Sequence, residues 1–314
     1  MPVQATATGA ESPPPAGVLR TPAGRFAGVP DFPWAPRYTT VSGLRVAHVE
    51  EGPAAAPPVL MLHGEPTWSF LYRKMIPPLV AAGHRAIAPD LVGFGRSDKP
   101  QDREAYTYAA HVAWMSDWLV ANDLREVTLV CQDWGSLIGL RLVAAMPGRF
   151  ARVVVANGGL PDGLMRPSLA LKAWIAFARH SPVFPIGKIV RGGCKDGLTP
   201  AEVAAYDAPF PADEYKAGAR AFPALIPLAP DAPEAAENRA AWEVLRTFTR
   251  PFLCAYSDGD PLTRGADRKF RREIPGAADQ PQVTIEGGGH FLQEDRGAEL
   301  ARVVTEFIER TRRP

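Results

Sequence analysis

Asp133 is the residue whose setting in the sequence points most directly to chemistry. An apolar, β-branched run from Val127 leads into Cys131-Gln132-Asp133-Trp134-Gly135, and an apolar stretch typical of a buried helix follows. The residues two before and two after Asp133 are both small. This pattern is typical of a nucleophile elbow, a sharp strand-to-helix turn that accommodates only small neighbours and presents its central side chain above the sheet.

Two other interpretations of this turn compete with a nucleophilic Asp133. Ser136 as the nucleophile would need small residues at positions 134 and 138, but Trp134 and Ile138 stand there. The other interpretation makes Asp133 only the N-cap of the following helix, because a carboxylate accepts hydrogen bonds from free backbone N–H groups. The residues described below favour the nucleophile.

A carboxylate nucleophile restricts the reaction. Its attack on a carbonyl would form a reactive anhydride, whereas its attack on an sp3 carbon forms an ordinary ester that water can cleave. An aspartate is already ionised at neutral pH, since its reference pKa is ~3.9, so the first step needs no general base. Asp133 therefore indicates an alkylating substrate, either a carbon that bears a halogen or an epoxide.

A histidine and an acid follow Asp133 in the order nucleophile, acid, histidine, which is the order of the α/β-hydrolase fold. Asp260 comes after a predicted strand, and His290 lies in a Gly-rich loop after the last predicted strand. The histidine would activate water against the ester, and the acid would set its tautomer. Asp258 competes for the acid's role; Asp260 is favoured because the acid usually precedes such a proline-containing turn.

The turn His63-Gly64-Glu65-Pro66 follows an early buried strand. In α/β-hydrolases this position supplies one N–H of the oxyanion hole, here that of Glu65, and the residue after the nucleophile, Trp134, supplies the other. We interpret His63 as a structural histidine beneath the turn, since His290 is the better candidate for the base.

The predicted elements alternate between strands and helices, which indicates an α/β fold with a mostly parallel sheet flanked by helices. A hairpin is expected around Ser42-Gly43, and a helical pattern over residues 68–82 is broken by Pro77 and Pro78. No G-x-G-x-x-G sequence occurs, which argues against a dinucleotide site.

The domain organisation follows from where the strand pattern stops. Residues 18–159 and 236–314 are predicted to form an α/β-hydrolase core. Residues 160–235, with short helical patterns and frequent prolines, are predicted to form an inserted helical cap over the substrate crevice. Residues 1–17 are rich in Ala, Pro, Ser and Thr and are expected to be a disordered leader.

The composition is that of an ordinary globular protein. The chain has 314 residues, of which 46% are hydrophobic and 22% charged, and its net charge of +1 gives no sign of a nucleic-acid or membrane partner. No apolar run approaches the ~20 residues of a membrane span, and no secretory signal is evident. The three widely spaced cysteines predict free thiols in the cytoplasm and no cysteine-rich metal site.

Three motifs together resemble those of haloalkane dehalogenases. They are His63-Gly64-Glu65-Pro66-Thr67-Trp68, Cys131-Gln132-Asp133-Trp134-Gly135-Ser136 and Gly288-Gly289-His290-Phe291, and the resemblance covers the chain from about residue 18. Each motif alone is moderately specific, and their occurrence in this order is much more so.

The resemblance implies two hydrogen-bond donors on the departing halide. One is the indole N–H of Trp134, and the other is a cap tryptophan, which Trp174 resembles. A second branch of the family uses an Asn at the position of Glu65, and an ionised Glu65 would offer no donor. The implied reaction takes a small halogenated alkane and water to an alcohol, halide and a proton. It needs no cofactor or metal, and a monomer is the default expectation.

Other activities remain open from the sequence. An epoxide hydrolase uses the same Asp elbow with cap tyrosines, and Tyr206 and Tyr215 lie in the predicted cap. A haloacid dehalogenase would need cationic groups near the nucleophile for the substrate carboxylate, and no Arg lies in or beside the elbow. A non-catalytic relative that only binds ligand is disfavoured by the complete Asp133, Asp260 and His290 set.

Overall fold

A central sheet organises the computed structural model, which describes residues 13–165 and 167–312. In this part of the chain eight strands pair in the order β10-β9-β8-β7-β4-β5-β3-β2. Pairing is parallel except that β3 is antiparallel to both β2 and β5. The expected mostly parallel sheet is confirmed. Residues 1–12 of the predicted leader lie outside the described residues.

The strands and helices have the following bounds. The strands are β1 (Val18–Leu19), β2 (Arg37–Val41), β3 (Leu44–Glu51), β4 (Pro58–Leu62), β5 (Arg85–Pro89), β6 (Lys99–Pro100), β7 (Val127–Asp133), β8 (Phe150–Gly158), β9 (Phe252–Ser257) and β10 (Val283–Ile285). The α-helices are α1 (Ile76–Ala81), α2 (Tyr108–Ala121), α3 (Trp134–Ala145), α4 (Leu169–His180), α5 (Ile186–Gly193), α6 (Pro200–Asp207), α7 (Ala217–Ala221), α8 (Ala235–Leu245), α9 (Asp267–Glu273) and α10 (Leu292–Arg310). Strands β1 and β6 form a separate antiparallel pair.

The central strands are apolar along their whole length because helices cover both faces of a parallel sheet. Every residue of β4 is buried, and so is β7 up to its last residue, Asp133. In the parallel register Leu62 at the end of β4 lies beside Cys131 of β7. Since parallel strands end at the same edge, the loops that follow β4, β7, β9 and β10 meet there.

One local prediction needs correction. Pro77 and Pro78 do not break a helix; they occupy the first turn of α1, where a missing N–H costs nothing. A separate 3₁₀ helix, Ser69–Tyr72, precedes it. The last helix, α10, has a kink at Arg296.

The segment between β8 and α8 is helical, as the sequence predicts. It contains α4 to α7 with short 3₁₀ turns, and its described residues form no strand. The division into a core and a cap domain stays a prediction. No helix among the described residues is long and apolar enough to cross a membrane.

Candidate active site

The turn between β7 and α3 has the geometry of a nucleophile elbow. Asp133 has a φ of 49° and a ψ of −127°, in the positive-φ region that non-glycine residues rarely adopt. Its carboxylate makes no capping hydrogen bond to α3, so the N-cap interpretation is wrong. A Cβ atom on Gly135 would overlap the carbonyl oxygen of Leu62, which is why a small residue is required there.

Two groups contact the Asp133 carboxylate. The backbone N–H of Glu65 donates to Oδ1 at 2.8 Å. The Nε2 atom of His290 lies 3.5 Å from Oδ2. One carboxylate oxygen is therefore held at the predicted oxyanion position, and the other faces the histidine. Ser136 is occupied elsewhere, since its hydroxyl donates to the carbonyl oxygen of Asp133 at 2.6 Å.

Asp260 is the acid that contacts the histidine. Its Oδ1 lies 3.1 Å from His290 Nδ1, and it accepts the Leu262 N–H at 2.8 Å. Burial alone would raise the pKa of Asp260, but the charge and hydrogen bond of His290 outweigh it and lower that pKa to about 2. Asp258, the competing candidate, is exposed and instead accepts the Gly287 N–H at 2.9 Å.

His290 lies between two carboxylates. Burial lowers its pKa, but the negative charge of Asp260 and the hydrogen bond and charge of Asp133 more than offset this and raise the pKa to about 10. The Gln132 side-chain amide donates to the His290 carbonyl oxygen at 3.2 Å and lies 3.1 Å from Nε2. With Asp133 ionised, the imidazole therefore holds a proton at neutral pH.

Two amides around the histidine loop were not predicted from the sequence. Gln132 is fully buried, and Asn157 donates to the carbonyl oxygens of Gly289 and His290 at 2.8 and 3.1 Å. Asn157 also has a positive φ of 46° at the end of β8. In the sequence, Asn157 stands between an apolar strand and two glycines. This was the one signal that pointed to Asn157, because Asn adopts a positive φ more readily than most other residues.

A cavity of about 1260 Å³ opens beside the nucleophile. Asp133, His290, Trp134 and Trp174 all line it, so the structure brings these predicted site residues to one space. Trp134 is almost fully buried, whereas Trp174 is half-buried and packs on aromatic neighbours within the helical segment. Within residues 13–165 and 167–312, neither indole N–H has a hydrogen-bond partner, so both can donate to a ligand.

Glu65 is a buried acid beside the nucleophile. Its side chain is 4% exposed, lines the same cavity, and has one carboxyl oxygen, Oε1, with no hydrogen-bond partner. Burial, and then the nearby charge of Asp133, raise the pKa of Glu65 well above its ordinary value. The site therefore disfavours a second negative charge beside Asp133, and a protonated Glu65 would carry one O–H donor.

His63 has the structural position expected of it. The ring is fully buried, its Nε2 accepts the Leu91 N–H at 2.9 Å, and its Nδ1 lies 2.9 Å from the Gly64 carbonyl oxygen. Burial lowers the pKa of His63, so the ring is neutral. It supports the turn that carries the Glu65 N–H.

Comparisons with known proteins identify the family of the chain. A family model described as the alpha/beta hydrolase fold matches residues 57–297. A haloalkane dehalogenase of Psychrobacter cryohalolentis is 51% identical over 296 residues, which cover 93% of this chain and 98% of that protein. The chain belongs to the haloalkane dehalogenase family. A haloalkane dehalogenase of Mycobacterium marinum is 52% identical, over 90% of this chain and 97% of the relative.

A solved structure leads to the same family. The haloalkane dehalogenase from Paraglaciecola agarilytica, described as tetrameric, superposes with a TM-score of 0.85 at 36% identity and covers 91% of this chain and 97% of its own. The protein is thus a hydrolase that cleaves carbon–halogen bonds. Epoxide hydrolysis is not favoured. The residues that line the cavity do not include Tyr206 or Tyr215, and the Tyr206 hydroxyl donates to Glu294.

Proposed function

We propose that this dehalogenase works through an alkyl ester on Asp133, with Trp134 and Trp174 as the halide site and His290 with Asp260 as the hydrolytic pair. The observation that carries the assignment is the position of Asp133 at the elbow, where Glu65 N–H holds one carboxylate oxygen and His290 faces the other. A carboxylate presented in this way attacks carbon without prior activation.

In the first step, the Asp133 carboxylate forms a C–O bond to the halogen-bearing carbon as the carbon–halogen bond breaks. The halide leaves with the bonding electron pair. The oxygen that faces His290 is the attacking one, because the other is already engaged by the Glu65 N–H. Donation from the Trp134 and Trp174 indoles stabilises negative charge that develops only as the halide departs, which lowers the barrier.

In the second step, water attacks the carbonyl carbon of the Asp133 ester. Because the ester carries no charge at Asp133, His290 first releases its proton to solvent. The neutral imidazole then takes a proton from that water, and the buried Asp260 stabilises the imidazolium that forms. The N–H groups of Glu65 and Trp134 stabilise the oxyanion. The acyl C–O bond then breaks, and His290 returns its proton to the departing alkoxide, so that the alcohol leaves. The remaining acid proton passes to His290, which restores the Asp133 carboxylate and the protonated imidazole. The net products are an alcohol, a halide ion and a proton.

Halide release from 1,2-dibromoethane and 1-bromobutane tests this proposal. We expect steady release by the wild type, none by Asp133→Ala, and strongly reduced release by Trp174→Phe. Single-turnover hydrolysis in H₂¹⁸O, with enzyme in excess, separates the ester route from direct attack by water. The ester route yields unlabelled alcohol and labels the Asp133 carboxylate, whereas direct attack yields labelled alcohol. Labelled alcohol in the first turnover would contradict the proposal.

The cellular setting and the assembly are separate predictions. Cys131, Cys194 and Cys254 are all free thiols, which supports a reducing cytoplasm as the place of action. The monomer expected from the sequence stands against a solved relative described as tetrameric. Light scattering coupled to size-exclusion chromatography decides between a mass of 33.9 kDa and a multiple of it.

A further inference from the structure

One carboxylate joins the loop of the catalytic histidine to the helical segment above it. Asp295, in the first turn of α10, is half-buried and folds back toward the loop. Its Oδ2 accepts the N–H of Gly289 at 2.8 Å and that of Lys195 at 2.9 Å. Its Oδ1 accepts the N–H of Asp196 at 2.9 Å. Three backbone donors from two distant parts of the chain therefore meet on a single side chain.

A second set of hydrogen bonds ties the same two segments directly. The carbonyl oxygen of Gly193 accepts the N–H of His290 at 2.8 Å and that of Phe291 at 3.3 Å. The segments are in close contact. A Cβ atom on Gly193 would lie 2.6 Å from the Phe291 ring, and one on Gly289 would overlap the Gly193 carbonyl oxygen. We call residues 193–196 the docking segment.

The two sides of the Gly289 backbone are held by different groups. Asn157 and Ser257 both donate to its carbonyl oxygen at 2.8 Å, and both belong to the strands of the sheet. Asp295 accepts its N–H. The sheet therefore anchors the carbonyl side of Gly289, and Asp295 binds its N–H side directly and ties it to the docking segment. Removal of the carboxylate would leave three N–H groups without their acceptor.

We propose that Asp295 is a positioning residue for the catalytic base, which holds His290 in place by docking residues 193–196 onto its loop. The proposal rests on the function proposed above. The hydrogen bonds described for the Asp295 side chain go to Gly289, Lys195 and Asp196, and not to Asp133 or the two indoles. Its influence passes through Gly289 and the backbone of His290, whose ring must stay 3.5 Å from the Asp133 carboxylate and 3.1 Å from that of Asp260.

The two chemical steps separate this role from a merely structural one. Formation of the ester on Asp133 does not use His290, whereas hydrolysis of the ester requires it. A variant with a displaced histidine loop should therefore form the ester at the normal rate and hydrolyse it slowly. General destabilisation of the enzyme would lower the yield of both steps together.

Rapid-quench measurement with 1-bromobutane tests the prediction in Asp295→Ala and Asp295→Asn. We expect a burst of one bromide per active site within about twofold of the wild-type rate, followed by hydrolysis about ten- to a hundredfold slower in Asp295→Ala. Intact-protein mass spectrometry should show the butyl ester on Asp133 accumulating. Asp295→Asn keeps one acceptor oxygen but points an N–H₂ group at a backbone donor, so its defect should be smaller.

Two further variants sharpen the experiment. Gly193→Ala forces the docking segment away from Phe291 without touching Asp295, and should reproduce the slow hydrolysis and the ester accumulation. Glu306→Gln, an exposed acid on the same helix, is the matched control and should behave as the wild type. Equal loss of both steps in Asp295→Ala and Asp295→Asn, or no loss in either, overturns the proposal. Absence of bromide release by the wild type would instead overturn the proposed function.

Discussion

The charge on Asp133 sets the protonation of His290, and the substitution Asp133→Asn tests this coupling. In the resting enzyme the histidine lies 3.5 Å from one carboxylate and 3.1 Å from the other, and its pKa is raised to about 10. A histidine with that pKa is a proton-bearing cation at neutral pH and cannot act as a base. In the proposed mechanism, alkylation turns Asp133 into a neutral ester and removes one of the two charges that hold the proton. An asparagine at position 133 is likewise neutral and of nearly the same shape.

The size of the effect follows from the separation of the charges. Two unit charges 3.5 Å apart attract by about 5 kcal/mol at an effective dielectric constant of about 20. Spreading of the positive charge over the imidazole ring and partial exposure of Asp133 reduce this to about 3 to 4 kcal/mol, or roughly two to three pKa units. Loss of a negative neighbour disfavours the imidazolium, so the shift is downward. We expect the pKa of His290 in Asp133→Asn to lie at about 7 to 8.

A ¹⁵N-detected NMR titration of the histidine side chains measures this pKa and the tautomer together. The wild type should keep His290 protonated up to about pH 9, whereas Asp133→Asn should release the proton near neutral pH. Asp258→Asn is the matched control, because it removes an exposed acid that does not contact His290, and its titration should follow the wild type. A His290 pKa in Asp133→Asn within half a unit of the wild-type value would refute the reasoning.

Three further outcomes follow from the site and its surroundings. Trp174→Phe removes one of the two proposed halide donors and should slow bromide release about 10²-fold or more. It should also raise the Kd for bromide in fluorescence titration. The Glu294 carboxylate binds the buried Arg73 guanidinium through two hydrogen bonds. Glu294→Gln removes that charge and should lower the free energy of unfolding by about 3 kcal/mol. Calorimetry should show this as a lower Tm. Gly135→Ala would place a methyl group against the carbonyl oxygen of Leu62, so the turn must change its geometry. We expect activity to be abolished. A crystal structure of the variant would show whether the elbow has changed.

Each of these has an outcome that would contradict it. A Trp174→Phe enzyme with unchanged release and unchanged bromide affinity would remove Trp174 from the halide site. For the buried ion pair, an unchanged Tm in Glu294→Gln would show that the remaining carboxylate, Glu202, is a sufficient partner for Arg73. A fully active Gly135→Ala enzyme would mean that the turn can widen, contrary to the close approach of Leu62.

Much of the fold could be predicted because its signals are local. The apolar runs of β4 and β7, the small residues around Asp133 and the glycines before His290 reflect the steric needs of adjacent residues. Helix boundaries were predicted less accurately where one residue type is compatible with two structures. In the sequence, Pro77 and Pro78 indicate a break in a helix, but proline is equally compatible with the first turn of a helix, where they lie. The order of the nucleophile, acid and histidine was readable for the same reason, since each follows its own strand.

The raised pKa of Glu65 could not be predicted from the sequence. It arises from burial and from the nearby charge of Asp133, which are properties of the folded chain. The supporting amides of Gln132 and Asn157 were missed for a related reason. Their partners in the His290 loop lie more than a hundred residues away, and no spacing pattern encodes that contact.

The sequence by itself determined the sheet and the elbow and indicated the reactive groups proposed here, because strand patterning and the steric limits of a tight turn act between neighbouring residues. Only the tertiary structure decided the electrostatics and the support of the site. It placed Asp260 rather than Asp258 against His290, raised the pKa of Glu65, and brought residues 193–196 onto the histidine loop through Asp295. Burial and charge separation are properties of the folded chain, and they depend on segments that meet only when the sheet has formed.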